Sequence, residues 1–340
     1  SFTNLKKSVN FLFISAQTHF LKQYPPLIEY INIDRRIYIF CGMGRKAITL
    51  DEQIALLRSR NMTISDELKA KEILFDIGYF RMGFYWFPFE KTYPNKHHRT
   101  HLFKDGTNFN DAVELYYFDF NLRNILLKPL SRIEIAFRTK VAYIISNYYK
   151  DSPTWFVDIT VVSKQQACSF ENRVYQPILD KVQIISMHHR HHINDRFAPA
   201  WKTLEFMTLG EMVHLFKSIK NEDLKLQIAN YFGIKKLVTF ENYLELVKEL
   251  RNTCAHGNVL YDFTPERSIR KGPAMKKGIG ENQNLNGALR IILFMMKQIS
   301  ENRYNDLIKD IDMLILEYSK YPVIEDILSS ISGLNQLHRE

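Results

Sequence analysis

Apolar residues recur three and four positions apart along most of this chain, the spacing of one face of an α-helix. Thr49-Leu50-Asp51-Glu52 reads as a capping box opening a helix through Leu57. Ser65 is the expected N-cap of a second helix, which runs through Ile73 and Leu74 towards Gly78. Residues 110–147 make either one very long helix or two bent near Pro129, because proline removes a rung of the hydrogen-bond ladder. Residues 169–185 are a further helix candidate, and Pro199-Ala200-Trp201 opens a segment reaching Phe206. Thr208-Leu209-Gly210-Glu211 is a second capping box, starting a helix through Phe216. Phe240, Tyr243, Leu244, Val247, Leu250 and Cys254 then form one apolar face, with Gly257 as the natural helix stop. Residues 285–299 and 304–318 close the chain as two helices, with a short one after Pro322. No strand pattern or internal repeat interrupts this order. The expectation is an all-α fold.

Three stretches depart from plain amphipathic patterning. Tyr79 to Phe89 is a dense aromatic block that reads as a stacking platform for bases or, preferably, as a wedge packed between helices. Lys91 to His101 is polar and basic, an expected exposed loop. The long helix carries Asp119, Arg123, Glu134 and Arg138; each pair is four apart, and eleven residues (about three turns) separate Arg123 from Glu134. All four therefore fall along one stripe. Two surface salt bridges would explain them, but charges in so apolar a helix favour a buried network or a site lining.

Composition adds an anionic partner to this picture. Gly (13) and Pro (11) are scarce among 340 residues, which suits long helices in one large or two modest domains. Apolar residues at 46% and charged residues at 24% describe a folded chain, not a disordered one. The formal charge of +9 makes nucleic acid the first candidate partner, although many basic proteins bind nothing acidic. Cys41, Cys168 and Cys254 are odd in number and far apart, which suggests a reducing cytoplasm and neither a disulfide framework nor a zinc knuckle. No apolar run approaches the roughly 18 residues of a membrane span. Val9 to Ala16, after Leu5-Lys6-Lys7, resembles a signal peptide only faintly, being short and broken by Asn10.

Candidate chemistry is concentrated in Leu250-Arg251-Asn252-Thr253-Cys254-Ala255-His256-Gly257-Asn258. Arg251 offers a fixed cation for a phosphate, and His256 an imidazole that moves a proton at neutral pH. Asn252 is placed to hydrogen-bond a phosphate oxygen or to orient the histidine. Together these suit attack of an RNA 2′-hydroxyl on its own phosphodiester, with no metal and no cofactor. One histidine is short of an acid–base pair, so two copies meeting across a homodimer is an economical solution. The plainer reading is that Arg251 and His256 only cap and pin a helix end. Arg267, Arg270, Lys271, Lys276 and Lys277 follow in a basic loop, suited to phosphate contact or simply to solvation. His188, His189 and Arg190 belong to a run of four histidines about one arginine. Adjacent histidines on a helix point apart and no acidic or cysteine partner stands at ligand spacing, so an RNA-backbone or surface patch is expected there and no metal.

The chain also resembles the Abi-like (AbiF/AbiD) abortive-infection proteins of bacteria, which carry a HEPN-type ribonuclease domain. The resemblance rests on six ordered stretches: residues 50–57, Ile77-Gly78-Tyr79-Phe80-Arg81, Phe118 to Arg123, Ile133 to Arg138, Pro199-Ala200-Trp201 with residues 205–210, and Leu250 to His256. It implies an all-α, HEPN-type helical bundle with an additional N-terminal helical region. It further implies RNA cleavage in antiphage defence at a composite site of paired HEPN motifs, and association with a small non-coding RNA. The family motif falls on Arg251, Asn252 and His256, and the family's Asp/Arg and Glu/Arg positions on Asp119, Arg123, Glu134 and Arg138. The expected division is an extension over 1–45 with no counterpart in the family, a helical subdomain over 46–107 and a HEPN-like domain over 108–340. The rival is a non-catalytic RNA-binding or RNP scaffold that uses the same basic surface.

Overall fold

The computed structural model describes residues 46–275 and 283–334. The expectations for residues 1–45, Lys276 and Lys277 fall outside the described residues. Contacts divide the chain into two compact units, 1–53 and 54–340, with the boundary inside the first described helix. That helix, α1 (Leu50–Ser59), begins with the expected capping box: Glu52 accepts from the Thr49 amide at 2.7 Å and donates its own amide to Thr49 Oγ1 at 3.3 Å.

In the second unit, α2 (Glu67–Asp76) starts one residue later than Ser65 predicts. Asp66 is the N-cap and accepts from the Lys69 amide at 2.9 Å, while Ser65 instead accepts from the Asn108 side chain at 3.3 Å. Next comes α3 (Tyr79–Tyr85), followed by a 3₁₀ turn over Phe87–Phe89. Met82, Tyr85, Trp86, Phe87 and Phe89 are buried, so the aromatic block is mainly a packing wedge. In the polar stretch after it most side chains are exposed, but Arg99 and His101 turn inward onto the fully buried Glu90 at 3.0 Å and 3.2 Å.

α4 (Phe109–Tyr148) is one continuous 40-residue helix, about 60 Å long. It opens with a capping box of Asn108 and Asp111 and passes through the buried Pro129 without ending. Leu122, Leu126, Leu130, Ile133, Phe137, Val141 and Ile145 are all inaccessible to water, at helical spacing. That burial on many sides outweighs the hydrogen bond lost at the proline.

Residues 164–191 differ from the single helix expected over 169–185. They form α5 (Lys164–Phe170), a π turn (Glu171–Tyr175), α6 (Gln176–Lys181) and α7 (Gln183–His191). The π turn carries α5 into α6 through helical backbone, and the extended backbone of Val182 supplies the break between α6 and α7. α8 (Ala200–Thr203) continues as a 3₁₀ turn to Phe206, and α9 (Leu209–Ser218) carries the expected Thr208/Glu211 box. α10 (Glu222–Tyr231), α11 (Leu237–Ala255), α12 (Leu285–Ile299), α13 (Glu301–Tyr318) and α14 (Pro322–Ser330) complete the order. α3 and α8 to α14 all pack against α4, which is the axis of the unit.

Only isolated β-bridges occur among the described residues, so the fold is all-α. None of the described helices is long and apolar enough to cross a membrane.

Candidate functional site

The site is built where α11 ends. Phe240, Tyr243, Leu244, Val247, Leu250 and Cys254 are buried, so α11 seats its apolar face and leaves Asn252 and His256 in water. α11 runs antiparallel to α4. Phe240 lies against Phe137 near the start of α11, whereas the chain just past its end reaches Asp119. The sequence motif therefore lies along the stretch of α4 that carries the two charged pairs.

Both pairs form, and each positions a different part of the motif. Arg138 donates to Glu134 at 2.8 Å and to the Met207 carbonyl at 2.9 Å. The other Glu134 oxygen lies 3.6 Å from Nε of Arg251, whose side chain is 39% exposed. Arg251 is thus held at the edge of the core with its charge only partly neutralised. Its hydrogen bond to the side-chain amide oxygen of Asn252 is long, at 3.5 Å.

Asp119 does a different job. It is fully buried and accepts from Arg123 at 2.7 Å, the Tyr85 hydroxyl at 2.9 Å, the Leu260 amide at 3.0 Å and the Tyr261 amide at 2.7 Å. Burial pushes its carboxyl up to about 6, and the Arg123 guanidinium and the amide donors work against that rise. Arg123 also donates to the Asn258 carbonyl at 3.1 Å. The buried pair fixes the segment immediately after His256, and neither member is displayed to a ligand.

Between these anchors the helix closes in a Schellman turn. The Asn258 amide donates to the Thr253 carbonyl at 2.9 Å and the Gly257 amide to that of Cys254 at 3.3 Å, with Gly257 at φ +68°. His256 stands at the C-cap, exposed, and its imidazole has no hydrogen-bond partner among the described residues. Any Cβ at position 257 would also meet the Arg81 guanidinium at 3.4 Å. Gly257→Ala is therefore expected to destabilise the protein by about 1–2 kcal/mol, read as a lowered urea midpoint at unchanged m-value.

Arg81 joins the site from outside the sequence motif. It stands on α3 and donates to the Gly257 carbonyl at 2.8 Å, across 176 residues of chain. Its one advance signal is its place in the stretch Ile77 to Arg81.

The basic loop after the motif is laced back along α11. The Glu266 amide donates to Glu249 at 3.0 Å, the Arg270 amide to Asn242 at 2.8 Å and the Tyr243 hydroxyl to the Arg270 carbonyl at 3.3 Å. Arg267, Arg270 and Lys271 are exposed along this flank.

The histidine run lies elsewhere, and no hydrogen bond, ion pair or ring contact among the described residues joins it to the motif. His188 departs from the expected surface patch: it is buried, 3.1 Å from Asp195 and 3.3 Å from the Lys202 amine, and stacked on His192. Burial and the neighbouring Lys202 push its imidazole below its ordinary range. His189 is half-buried against the Tyr175 hydroxyl at 2.6 Å, and Arg190 alone of the three is exposed. Among the described residues, no cluster of three or more histidine, cysteine or acidic side chains is placed to hold a metal.

A family model described as Abi-like protein matches residues 72–262, more than half of the chain. The chain belongs to the Abi-like protein family. The matched span takes in Arg81, both charged pairs of α4 and the whole of the motif on α11. It ends just past Tyr261, the last residue that Asp119 holds in this Abi-like protein. No curated protein and no solved structure matches the chain.

Proposed function

We propose that this Abi-like protein is a metal-independent endoribonuclease of the HEPN type, acting in abortive-infection defence against phage. The family supports the defence role. The observation that carries the chemistry is the arrangement at the end of α11: an exposed, unengaged imidazole at His256 and a half-exposed guanidinium at Arg251, on a helix end anchored at both sides.

In the proposed reaction the RNA 2′-oxygen attacks the adjacent phosphorus and loses its proton to a base. The P–O5′ bond breaks, and the leaving oxygen takes a proton. The products are a 2′,3′-cyclic phosphate and a 5′-hydroxyl, so no metal or cofactor enters the balance. Arg251 stabilises the extra negative charge of the pentacoordinate transition state, His256 serves as the acid or the base, and Asn252 binds a phosphate oxygen. Because one motif supplies one imidazole, the complete site draws a second from a homodimer partner. The proposed chain has residues 46–107 as a helical subdomain, 108–340 as the HEPN-like domain, and a cytoplasmic location with a small non-coding RNA bound.

One observation favours the rival RNA-binding scaffold: nothing among the described residues orients the His256 ring. Purified protein incubated with labelled RNA in excess EDTA separates the two readings, with sequencing of any RNA that co-purifies. The ribonuclease reading expects cyclic-phosphate products, lost when the 2′-hydroxyl is replaced by hydrogen. Tight binding without cleavage of any RNA offered would leave the scaffold.

A further inference from the structure

We propose that Arg81 is a second phosphate-binding cation of the His256 site, gripping non-bridging oxygens of an RNA phosphodiester adjacent to the one Arg251 serves. The inference rests on the ribonuclease reading above and adds a residue from a different helix to it.

Four observations converge on Arg81. It is exposed, and its guanidinium lies against the turn that carries His256, 2.8 Å from the Gly257 carbonyl. That hydrogen bond engages one nitrogen, whereas a guanidinium presents five N–H donors in a fork that matches phosphate oxygens. No carboxylate among the described residues pairs with it, in contrast to Arg58, Arg99, Arg123, Arg138 and Arg196, each of which has its acid. Finally, its helix is fastened to the same network as the motif. Tyr85 bonds Asp119, and the Tyr261 hydroxyl donates to the Phe84 carbonyl at 2.7 Å. Arg81 is therefore held in register with His256 before any ligand arrives, and so loses less entropy on binding.

Capping the negative end of α11 would by itself explain the bond to Gly257. It does not explain why so much of the cation's donor capacity faces water beside the only exposed histidine of the motif. Arg251 stands in the last turn or so of α11 and the Gly257 carbonyl that Arg81 holds lies just past its end, so the proposal sets the two cations at one helix end, for neighbouring phosphates of a single strand.

The test uses the full chain and a single-stranded RNA made cleavage-resistant by 2′-O-methylation, with Kd measured across a salt series. Arg81→Gln is expected to weaken binding about tenfold at low salt and to flatten the slope of log K against log salt by about 0.7, the loss of one phosphate contact. Arg81→Lys, which keeps the charge, is expected to retain the slope. A pure cap predicts a lower melting temperature with an unchanged slope, and that result overturns the proposal. If Arg81→Gln folds poorly, wild type decides instead: the RNA should protect Arg81 from phenylglyoxal, and equal labelling with and without RNA overturns the idea. Failure of the ribonuclease reading looks different, since wild type then cleaves nothing in EDTA whatever Arg81 does. If wild type cleaves while Arg81→Gln keeps the full salt slope, only the Arg81 assignment falls.

Discussion

Replacing His256 by alanine is expected to lower RNA cleavage by about 10²–10⁴-fold, the usual contribution of a general acid or base, while the fold and RNA affinity survive. The structural side of this expectation is direct. His256 is exposed and its side chain makes no hydrogen bond or ion pair among the described residues, and the hydrogen bond that closes the helix uses its backbone amide, at 2.9 Å from the Asn252 carbonyl. A surface truncation of this kind moves stability by no more than about 0.5 kcal/mol. The measurements are the single-turnover cleavage rate in EDTA, Kd for a cleavage-resistant RNA, and a thermal melt. Wild-type rates in the alanine variant would remove His256 from the chemistry and return the motif to a helix cap. Loss of affinity together with rate would instead place His256 in ground-state binding. Arg251→Lys provides the companion measurement: a point charge replaces a planar fork, so rate should fall even though charge is kept.

Features that rest on local rules could be read before the fold was known. The Thr208/Glu211 capping box and the apolar face of α11 need only residues three and four apart, and both appear as expected. The pairings within α4 follow the same logic, since an acid and an arginine at i and i+4 meet on any helix. Ser65 and Asp66 show where local rules become ambiguous: both are capping residues, and only the actual chain path shows that Asp66 takes the Lys69 amide. The interruptions over 164–191 are illegible for a related reason, because the apolar spacing persists across the π turn at Glu171–Tyr175 and the break at Val182.

The rest of the site is tertiary. Asp119 meets amides 141 and 142 positions away, Arg81 meets a carbonyl 176 positions away, and His188 is drawn inward between Asp195 and Lys202. A histidine-rich run looks like a polar surface until such partners are known. The stripe on α4 was visible as charge placed in an apolar setting, but its division of labour was not. One pair tethers Arg251, and the other tethers the chain beyond His256.

That division sets the second large effect, which concerns stability. Asp119→Ala is expected to cost about 3–5 kcal/mol, because it strands the Arg123 guanidinium in a buried setting. The damage goes beyond the ion pair: the Leu260 and Tyr261 amides and the Tyr85 hydroxyl lose their acceptor at the same time. A contrast follows from this. Many buried ion pairs tolerate replacement of both partners by apolar residues of similar size. Here Asp119→Leu combined with Arg123→Met should recover little, since two buried amides remain unpaired whichever residue replaces the arginine. Glu134→Gln should cost much less, about 1 kcal/mol, because that pair is nearer to water and an amide oxygen still accepts from Arg138. Urea titrations of the three variants and wild type give the comparison directly. Full recovery in the double variant would mean that Asp119 serves Arg123 alone, and that the chain past His256 needs no anchor. Destabilisation persisting in the double variant would identify the Asp119 carboxylate as the element that ties the end of α11, and with it His256, to α4.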